Sequence, residues 1–275
     1  MRVRVKNKEW NLKGLKDDDY KLARKLAQKS GKESLDQCPT CGGRSEEIPN
    51  SGGVTDFVSG TYKDRDGNEI QCDCQSQIAL RARYLLANIG NQYQKLDWDD
   101  FTGEEKSVID NYVDNWEDYL HHGFGMELGG SVGIGKTFSA TYIAKEMIKR
   151  NQSVYFIPFK DMIFAYEKED EDFEEKFRDS TFLVIDEVTV PKQAKKYDLY
   201  SEKFEAMIRH RTNYDLPTII TTNVSAEKLD YAYPRVYSLL SAKQVRVDFK
   251  GTDVREAKGN DNIGYVLDGV RRPIT

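Results

Sequence analysis

The chain lacks any run of about 18 consecutive apolar residues, the length a membrane-spanning helix needs. No apolar stretch follows the charged start Met1-Arg-Val-Arg-Val-Lys6, which argues against a secretory signal. Positive charge is not in excess either. Lys and Arg number 41 against 46 Asp and Glu, so a protein that coats DNA by bulk charge is disfavoured and any nucleic-acid contact must use a local patch. Cysteine is absent outside positions 38–74, where all four sit, a clustering that points to a metal site in a reducing compartment rather than to a disulfide frame. Together these absences describe a cytoplasmic protein without a membrane partner. What is present rules out disorder throughout: 39% of the 275 residues are hydrophobic and 11% aromatic. At about 150 residues per domain, the length suits one large domain or a domain with a smaller companion.

Three regions separate by composition. Residues 1–37 are charged and hold one helical pattern, Asp17 to Lys29. Three aspartates stand at its start, Leu22, Ala23 and Leu26 recur at helical spacing, and Gly31 closes it. It reads either as a helix packed on its own domain or as a partner-binding arm. Residues 38–74 hold the cysteines and a hairpin pattern: a strand over Phe57 to Lys63, a turn at Asp66-Gly67 and a second strand leading to Cys72. Residues 75–122 read as helical, with Ile78, Leu80, Leu85 and Leu86 among the apolar positions, and His121 and His122 as surface residues at the end. From about 123 strands and helices alternate. Strands fit Phe124–Leu128, Ser153–Phe159, Phe182–Ile185, Thr218–Thr222 and Val245–Phe249; helices fit Lys136–Arg150, Lys160–Tyr166 and Leu199–Arg211. Such alternation implies an α/β fold with a parallel five-stranded sheet and ligands beyond the carboxyl ends of its strands.

Gly130-Ser-Val-Gly-Ile-Gly135-Lys136-Thr137 has the spacing G-x-x-x-x-G-K-T. Glycines let backbone N–H groups turn inward around phosphate oxygens, and the loop opens a helix whose N-terminal dipole favours an anion. Lys136 can neutralise the β- and γ-phosphates of ATP, and the Thr137 hydroxyl can bind Mg²⁺. Gly130, Ser131, Val132, Gly133, Ile134, Gly135, Lys136, Thr137 and Phe138 are therefore the candidate nucleotide-binding segment. The apolar strand Phe182-Leu-Val-Ile185 runs into Asp186 and Glu187: Asp186 can reach the Mg²⁺ shell and Glu187 can polarise an attacking water. Thr218-Ile-Ile-Thr-Thr222 ends in Asn223, whose amide can orient water near the γ-phosphate.

Cys38-Pro-Thr-Cys41-Gly42-Gly43 is a tight turn that presents two thiolates, and Cys72-Asp-Cys74 presents two more. Four thiolates suit tetrahedral Zn²⁺, with an iron–sulfur cluster as the alternative. Four cysteines leave no open position for hydrolysis, so a zinc here is structural. Glu167 to Glu175 is an acidic run, read as a solvated helix face. Lys192, Lys195, Lys196, Arg209 and Arg211 form a candidate basic patch for single-stranded DNA.

The loop, the Asp-Glu strand and the Thr-Thr-Asn strand, in that order, resemble the AAA+ ATPases, and within them the DnaC/DnaI-type replicative helicase loaders, phage-encoded members included. Pro217-Thr-Ile-Ile-Thr-Thr-Asn223 after Arg209-His-Arg211 is similar to that family's sensor-1 region, and Gly251-Thr-Asp253-Val-Arg255 to its terminal G-x-D-x-R segment. The likeness spans roughly residues 38–255. It implies Walker A at Lys136 and Thr137, Walker B at Asp186 and Glu187, sensor 1 at Asn223 and a sensor-2-type arginine at Arg255. Arg235 lies where members carry an arginine-containing stretch before a trans-acting finger. Four residues further on members usually show a second arginine, where this chain reads Tyr237-Ser-Leu239-Leu240; Arg235 is either the finger or a surface residue. The resemblance also supports zinc, since many members have a Cys-rich N-terminal zone. It implies three segments: 1–75 for zinc and helicase interaction, 76–122 as a helical linker, and 123–275 as the AAA+ ATPase domain. The activity implied is ATP-dependent loading of a hexameric replicative DNA helicase onto single-stranded DNA, with self-association through the ATPase domains. The rivals are an AAA+ transposition helper and a zinc-dependent adaptor that uses ATP only as a binding switch.

Overall fold

The structure, a computed structural model, describes residues 15–29, 35, 37–43, 60–168, 170–190, 197–253 and 269–275. Gly31, the strand expected over 57–59, Lys192, Lys195, Lys196, Arg255 and the tail over 256–268 lie outside the described residues. The described residues form two compact units. One draws on Met1–Leu96, Ile148–Gln152 and Lys258–Thr275, the other on Asp97–Met147 and Ser153–Ala257.

The first unit contains α1 (Asp17–Lys29), the antiparallel hairpin β1 (Thr61–Lys63) and β2 (Glu69–Gln71), α2 (Cys74–Leu86) and the short α3 (Asn91–Gln94). The hairpin turns at Asp64–Asn68, where the Asp64 carboxylate accepts the Asp66 and Asn68 N–H groups. Asp73 caps α2 by accepting the Ser76 N–H at 3.2 Å. The small core joins Ala23 and Ala27 of α1 to Leu35, Ile78, Ala82 and three of the cysteines. α1 is thus a helix packed on its own unit, with Leu22 left 41% exposed on its outer side.

The second unit begins with a 3₁₀ turn (Trp98–Asp100), α4 (Lys106–Asp114) and α5 (Trp116–His121), so the stretch expected to be helical is interrupted rather than continuous. Then come β3 (Gly125–Gly129), α6 (Lys136–Lys149), β4 (Val154–Pro158), α7 (Phe159–Glu167), α8 (Glu171–Asp179), β5 (Phe182–Val188), α9 (Tyr197–Asn213), β6 (Thr218–Thr222), α10 (Ala226–Ala232), α11 (Pro234–Ser241) and β7 (Gln244–Asp248). The five strands form one parallel sheet in the order β4-β5-β6-β3-β7, the α/β arrangement the alternation implied. The expected strands are all present within a residue or so of their bounds, except that β5 continues through Asp186 and Glu187 to Val188, with a register shift against β6 between Ile185 and Val188.

Register explains where the core sits. Parallel partners share a face, so Ile157, Ile185, Ile220, Glu127 and Arg246 form one row across the sheet, and Phe156, Val184, Ile219, Met126 and Val245 the opposite row. The first row lies on the face covered by α7 to α11, whose Phe159, Met162, Phe177, Phe204, Leu229 and Val236 pack over its aliphatic members. α10 and α11 were not anticipated; Pro234 at the first position of α11 was the available helix-start cue. The acidic run belongs partly to α8, which buries Phe173 and Phe177 while Asp172, Glu174 and Glu175 are exposed, and Asp170 caps it by accepting the Phe173 N–H at 3.1 Å. His121 and His122 are exposed, as expected.

Candidate nucleotide and metal sites

Every residue of β3 is buried, and the chain leaves it through a loop that only glycine can shape at three points. Gly130, Gly133 and Gly135 have φ of +135°, +80° and +99°, the left-handed region where a Cβ is strained. A Cβ on Gly130 would stand 2.6 Å from the Phe249 carbonyl oxygen, and one on Gly135 2.6 Å from the Phe101 ring. Val132 at the loop tip is 49% exposed, whereas Ile134 is buried. Lys136, also buried, donates to the Gly130 carbonyl at 2.9 Å and to that of Ser131. Phe138 joins a stack in which Trp98 lies 4.7 Å from Phe101 and 4.1 Å from Tyr142 between ring centroids. Residues ahead of β3 therefore flank the start of α6 with aromatic faces.

The structure brings Thr137 and Asp186 together. The Thr137 hydroxyl donates to Asp186 Oδ1 at 2.9 Å, and the Thr221 hydroxyl donates to the same oxygen at 2.6 Å. Thr221 Oγ1 in turn accepts the Glu187 N–H at 2.9 Å. One hydroxyl thus ties the β6 end to both carboxylate residues. Sequence reasoning missed Thr221; a polar Thr-Thr pair closing an aliphatic strand was its only sign. Burial pushes the Asp186 carboxyl above the ordinary range, and the hydrogen bonds from Thr221 and Thr137 oppose that shift. Glu187 has φ +57°, rare for a non-glycine residue, and stands exposed at the register shift. Asn223 is exposed just past β6. Strain at a carboxylate on the sheet's carboxyl edge marks a position held by its surroundings.

Asp253, within the segment that follows β7, lies against the loop: a Cβ on Gly133 would meet its carboxylate at 2.1 Å. Arg235 has a 77% exposed side chain and pairs at 3.4 Å with Glu205, which Arg209 also holds at 2.7 Å. Arg211 does not belong to a DNA-facing patch. It is fully buried and donates to the carbonyls of Phe177, Arg178, Ser180, Thr181 and Pro217 and to the Thr218 hydroxyl. Its charge stitches the end of α8 to the strands on either side. Glu127, equally unforeseen, is buried mid-sheet and bonded to Arg246 of the neighbouring strand; burial raises its carboxyl and the Arg246 charge opposes that.

In the first unit the four Sγ atoms of Cys38, Cys41, Cys72 and Cys74 lie within 4.8 Å of one another. Cys38 and Cys72 are 3.6 Å apart, and Cys41 and Cys74 3.4 Å. These separations are too long for disulfides, whose sulfurs sit about 2.05 Å apart, and near the roughly 3.8 Å edge of a tetrahedron of Zn–S bonds. The knuckle is tight: Cys38 N–H donates to the Gly43 carbonyl, Gly42 N–H to the Cys38 carbonyl, and Gly42 takes φ +78°. Burial raises the Cys41 thiol, but the Gly43 N–H and the neighbouring thiols outweigh it and bring the group down to about 7; burial pushes Cys74 up to about 11. The donor set fits a closed four-thiolate zinc centre, and the glycine cradle with Thr137 and Asp186 fits a magnesium nucleotide.

No protein-family model matches the chain. Among curated proteins it is 22% identical over 205 residues to the replicative helicase loader DnaI of Bacillus subtilis (strain 168), covering 72% of this chain and 61% of that protein. The match thus spans less than two thirds of that relative's length. Among solved structures, the DnaC helicase loader aligns with a TM-score of 0.50 at 23% identity, over 58% of this chain and 100% of that one. A structure of DnaI aligns with a TM-score of 0.52 at 18% identity, over 60% and 94%. These likenesses carry the fold, and with the curated relative they bear out the resemblance to DnaC/DnaI-type AAA+ helicase loaders drawn from the motifs. No helix among the described residues is long and apolar enough to cross a membrane.

Proposed function

We propose that this chain is an ATP-dependent, cytoplasmic loader that delivers a hexameric replicative DNA helicase to single-stranded DNA, self-associating through its ATPase units. The observation that carries the nucleotide site is the single Asp186 oxygen shared by Thr137 and Thr221, which unites the loop, the carboxylate strand and the sensor strand at one edge of the sheet. The loader assignment is supported by the relative described as a replicative helicase loader, whose match spans both units.

In this reading Lys136 leaves the loop carbonyls for the β- and γ-phosphates, and Thr137 and Asp186 hold Mg²⁺. A bound Mg²⁺ supplies charge neutralisation on the phosphates. Glu187 polarises the attacking water and Asn223 orients it. Arg255 serves as the sensor-2-type residue. Arg235 exchanges its intrachain partner Glu205 for a neighbouring subunit's nucleotide. The four cysteines bind structural zinc in the unit that includes the region 1–75, which engages the helicase, and the nucleotide site lies in the unit made of Asp97–Met147 and Ser153–Ala257.

A specific observation favours the adaptor reading as second. Where the family usually shows its second arginine, α11 presents Leu239 and Leu240, and these pack with Tyr237 against the apolar core. Phosphate release separates the two. The loader requires ATP turnover stimulated by helicase or DNA, abolished in Glu187→Gln with nucleotide binding intact; an adaptor shows negligible turnover throughout. Lys136→Ala should lose nucleotide binding by fluorescence titration, and unchanged affinity would end the nucleotide-site reading. Co-purification with a hexameric helicase in ATP but not in ADP is the expected partner result.

A further inference from the structure

The cysteine unit holds a segment from the far end of the chain much as peptide-recognition domains hold an extended ligand. Val270 bridges Lys63 in parallel, and the Arg271 N–H donates to the Lys63 carbonyl at 2.9 Å. Gln77 of α2 turns its amide onto the backbone of Ile274: Oε1 accepts the Ile274 N–H at 2.6 Å, and Nε2 donates to the Ile274 carbonyl at 3.0 Å. The Tyr84 hydroxyl donates to the Thr275 carbonyl at 2.8 Å, and the Thr275 hydroxyl to the Leu96 carbonyl at 2.8 Å. The Ile274 side chain is 3% exposed. Backbone bonds carry most of this contact and one aliphatic side chain is buried, the combination that gives an extended peptide affinity through its main chain and selectivity through a pocket. The same Gln77 oxygen also accepts the Thr40 hydroxyl at 2.7 Å, and Thr40 lies between Cys38 and Cys41 with 1% exposure.

We propose that this face of the cysteine unit is a peptide-binding groove for an extended segment with an aliphatic anchor. Residues 269–275 fill it in cis, and its filling tightens the cysteine cluster's grip on its metal. Gln77 is the joint. It spans the peptide backbone on one side and the Cys38–Cys41 turn on the other, so losing the ligand removes one of the two donors to its Oε1 and frees the side chain that braces Thr40. The tethered segment is present at the high effective concentration of an intramolecular ligand, so a free peptide is expected to bind only in the millimolar range. The metal half of the proposal rests on the zinc reading; the groove does not.

The test uses the chain without residues 269–275, titrated calorimetrically with a synthetic peptide of those residues up to millimolar concentration. Saturable binding at one peptide per chain is expected, abolished by Ile274→Asp in the peptide and by Gln77→Ala in the chain. Zinc transfer to a chromophoric chelator should be about tenfold faster from the shortened chain than from the intact one, and peptide should slow it again. A shortened chain that binds no peptide and releases zinc at the intact rate overturns the proposal. Absence of zinc from the intact chain refutes the zinc reading alone and leaves the titration to judge the groove. Should the shortened chain fail to fold, the full-length Ile274→Asp variant decides: amide exchange at Arg271 and Ile274 must accelerate, and unchanged protection there refutes the groove.

Discussion

The two units present polar atoms to a charged guest by opposite means. In the sheet unit, Phe177, Phe182, Leu183, Ile185 and Met126 are fully or almost fully buried, and the candidate groups Lys136, Thr137, Asp186 and Glu187 hang from strand ends and a helix start that this core already fixes. In the cysteine unit the buried cluster around the thiols is three alanines, one leucine, one isoleucine and three of the cysteines themselves. Alanine buries little area, so hydrophobic burial alone is a weak restraint there, and small domains of this kind depend on a metal or another staple. On the proposed reading, the first site is built before its guest arrives, while the second depends on its guest to hold its fold.

The strongest way to break that contrast is metal removal. A strong chelator should unfold the cysteine unit, because the free energy of structural zinc binding, about 10–16 kcal/mol in small zinc domains, is folding free energy. Residue-resolved hydrogen exchange should show protection lost across α1, β1, β2 and α2 while β3 to β7 keep theirs. Equal retention in both units would mean that the alanine core suffices and the contrast is wrong.

A smaller effect sharpens the other half. Thr221→Val keeps the volume of a buried side chain and removes its hydroxyl, leaving Asp186 with one donor fewer and the Glu187 N–H without its acceptor. A cost of about 1–3 kcal/mol in urea unfolding is expected, with ATP turnover falling further than nucleotide affinity. A variant that matches wild type in both measurements would show that the sheet edge holds its carboxylates without this link.

The contrast also sorts what could be seen in advance. The loop and the Asp-Glu strand were legible because each needs several residue types at fixed spacing, and the cysteine cluster because four thiols fell within one short stretch. The sheet followed from strands alternating with helices. Thr221 and the Glu127–Arg246 pair were not legible, since both depend on which strands become neighbours, and β6 and β7 flank β3 only after long crossovers. Arg211 was read as surface charge because a helix pattern says nothing of five carbonyls converging from the end of α8, the turn after it and Pro217. Gln77 and Ile274 are 197 residues apart, and neither carries a local sign of the other.

The smallest expected effect concerns what lies over each site. In the cysteine unit the overlying segment is a support. In the sheet unit the segment after β7 sets the Asp253 carboxylate against Gly133, in the loop proposed to hold phosphate. A carboxylate there would repel a triphosphate held by the loop, so Asp253→Asn should tighten nucleotide binding by a factor of about three, the scale of one exposed charge interaction. The gain should shrink as salt is raised, because screening weakens a repulsion between exposed charges. A gain that persists at high salt would assign the effect to a new hydrogen bond from the amide rather than to lost repulsion, and weaker binding would show that Asp253 positions the loop for its guest, making the two overlying segments alike.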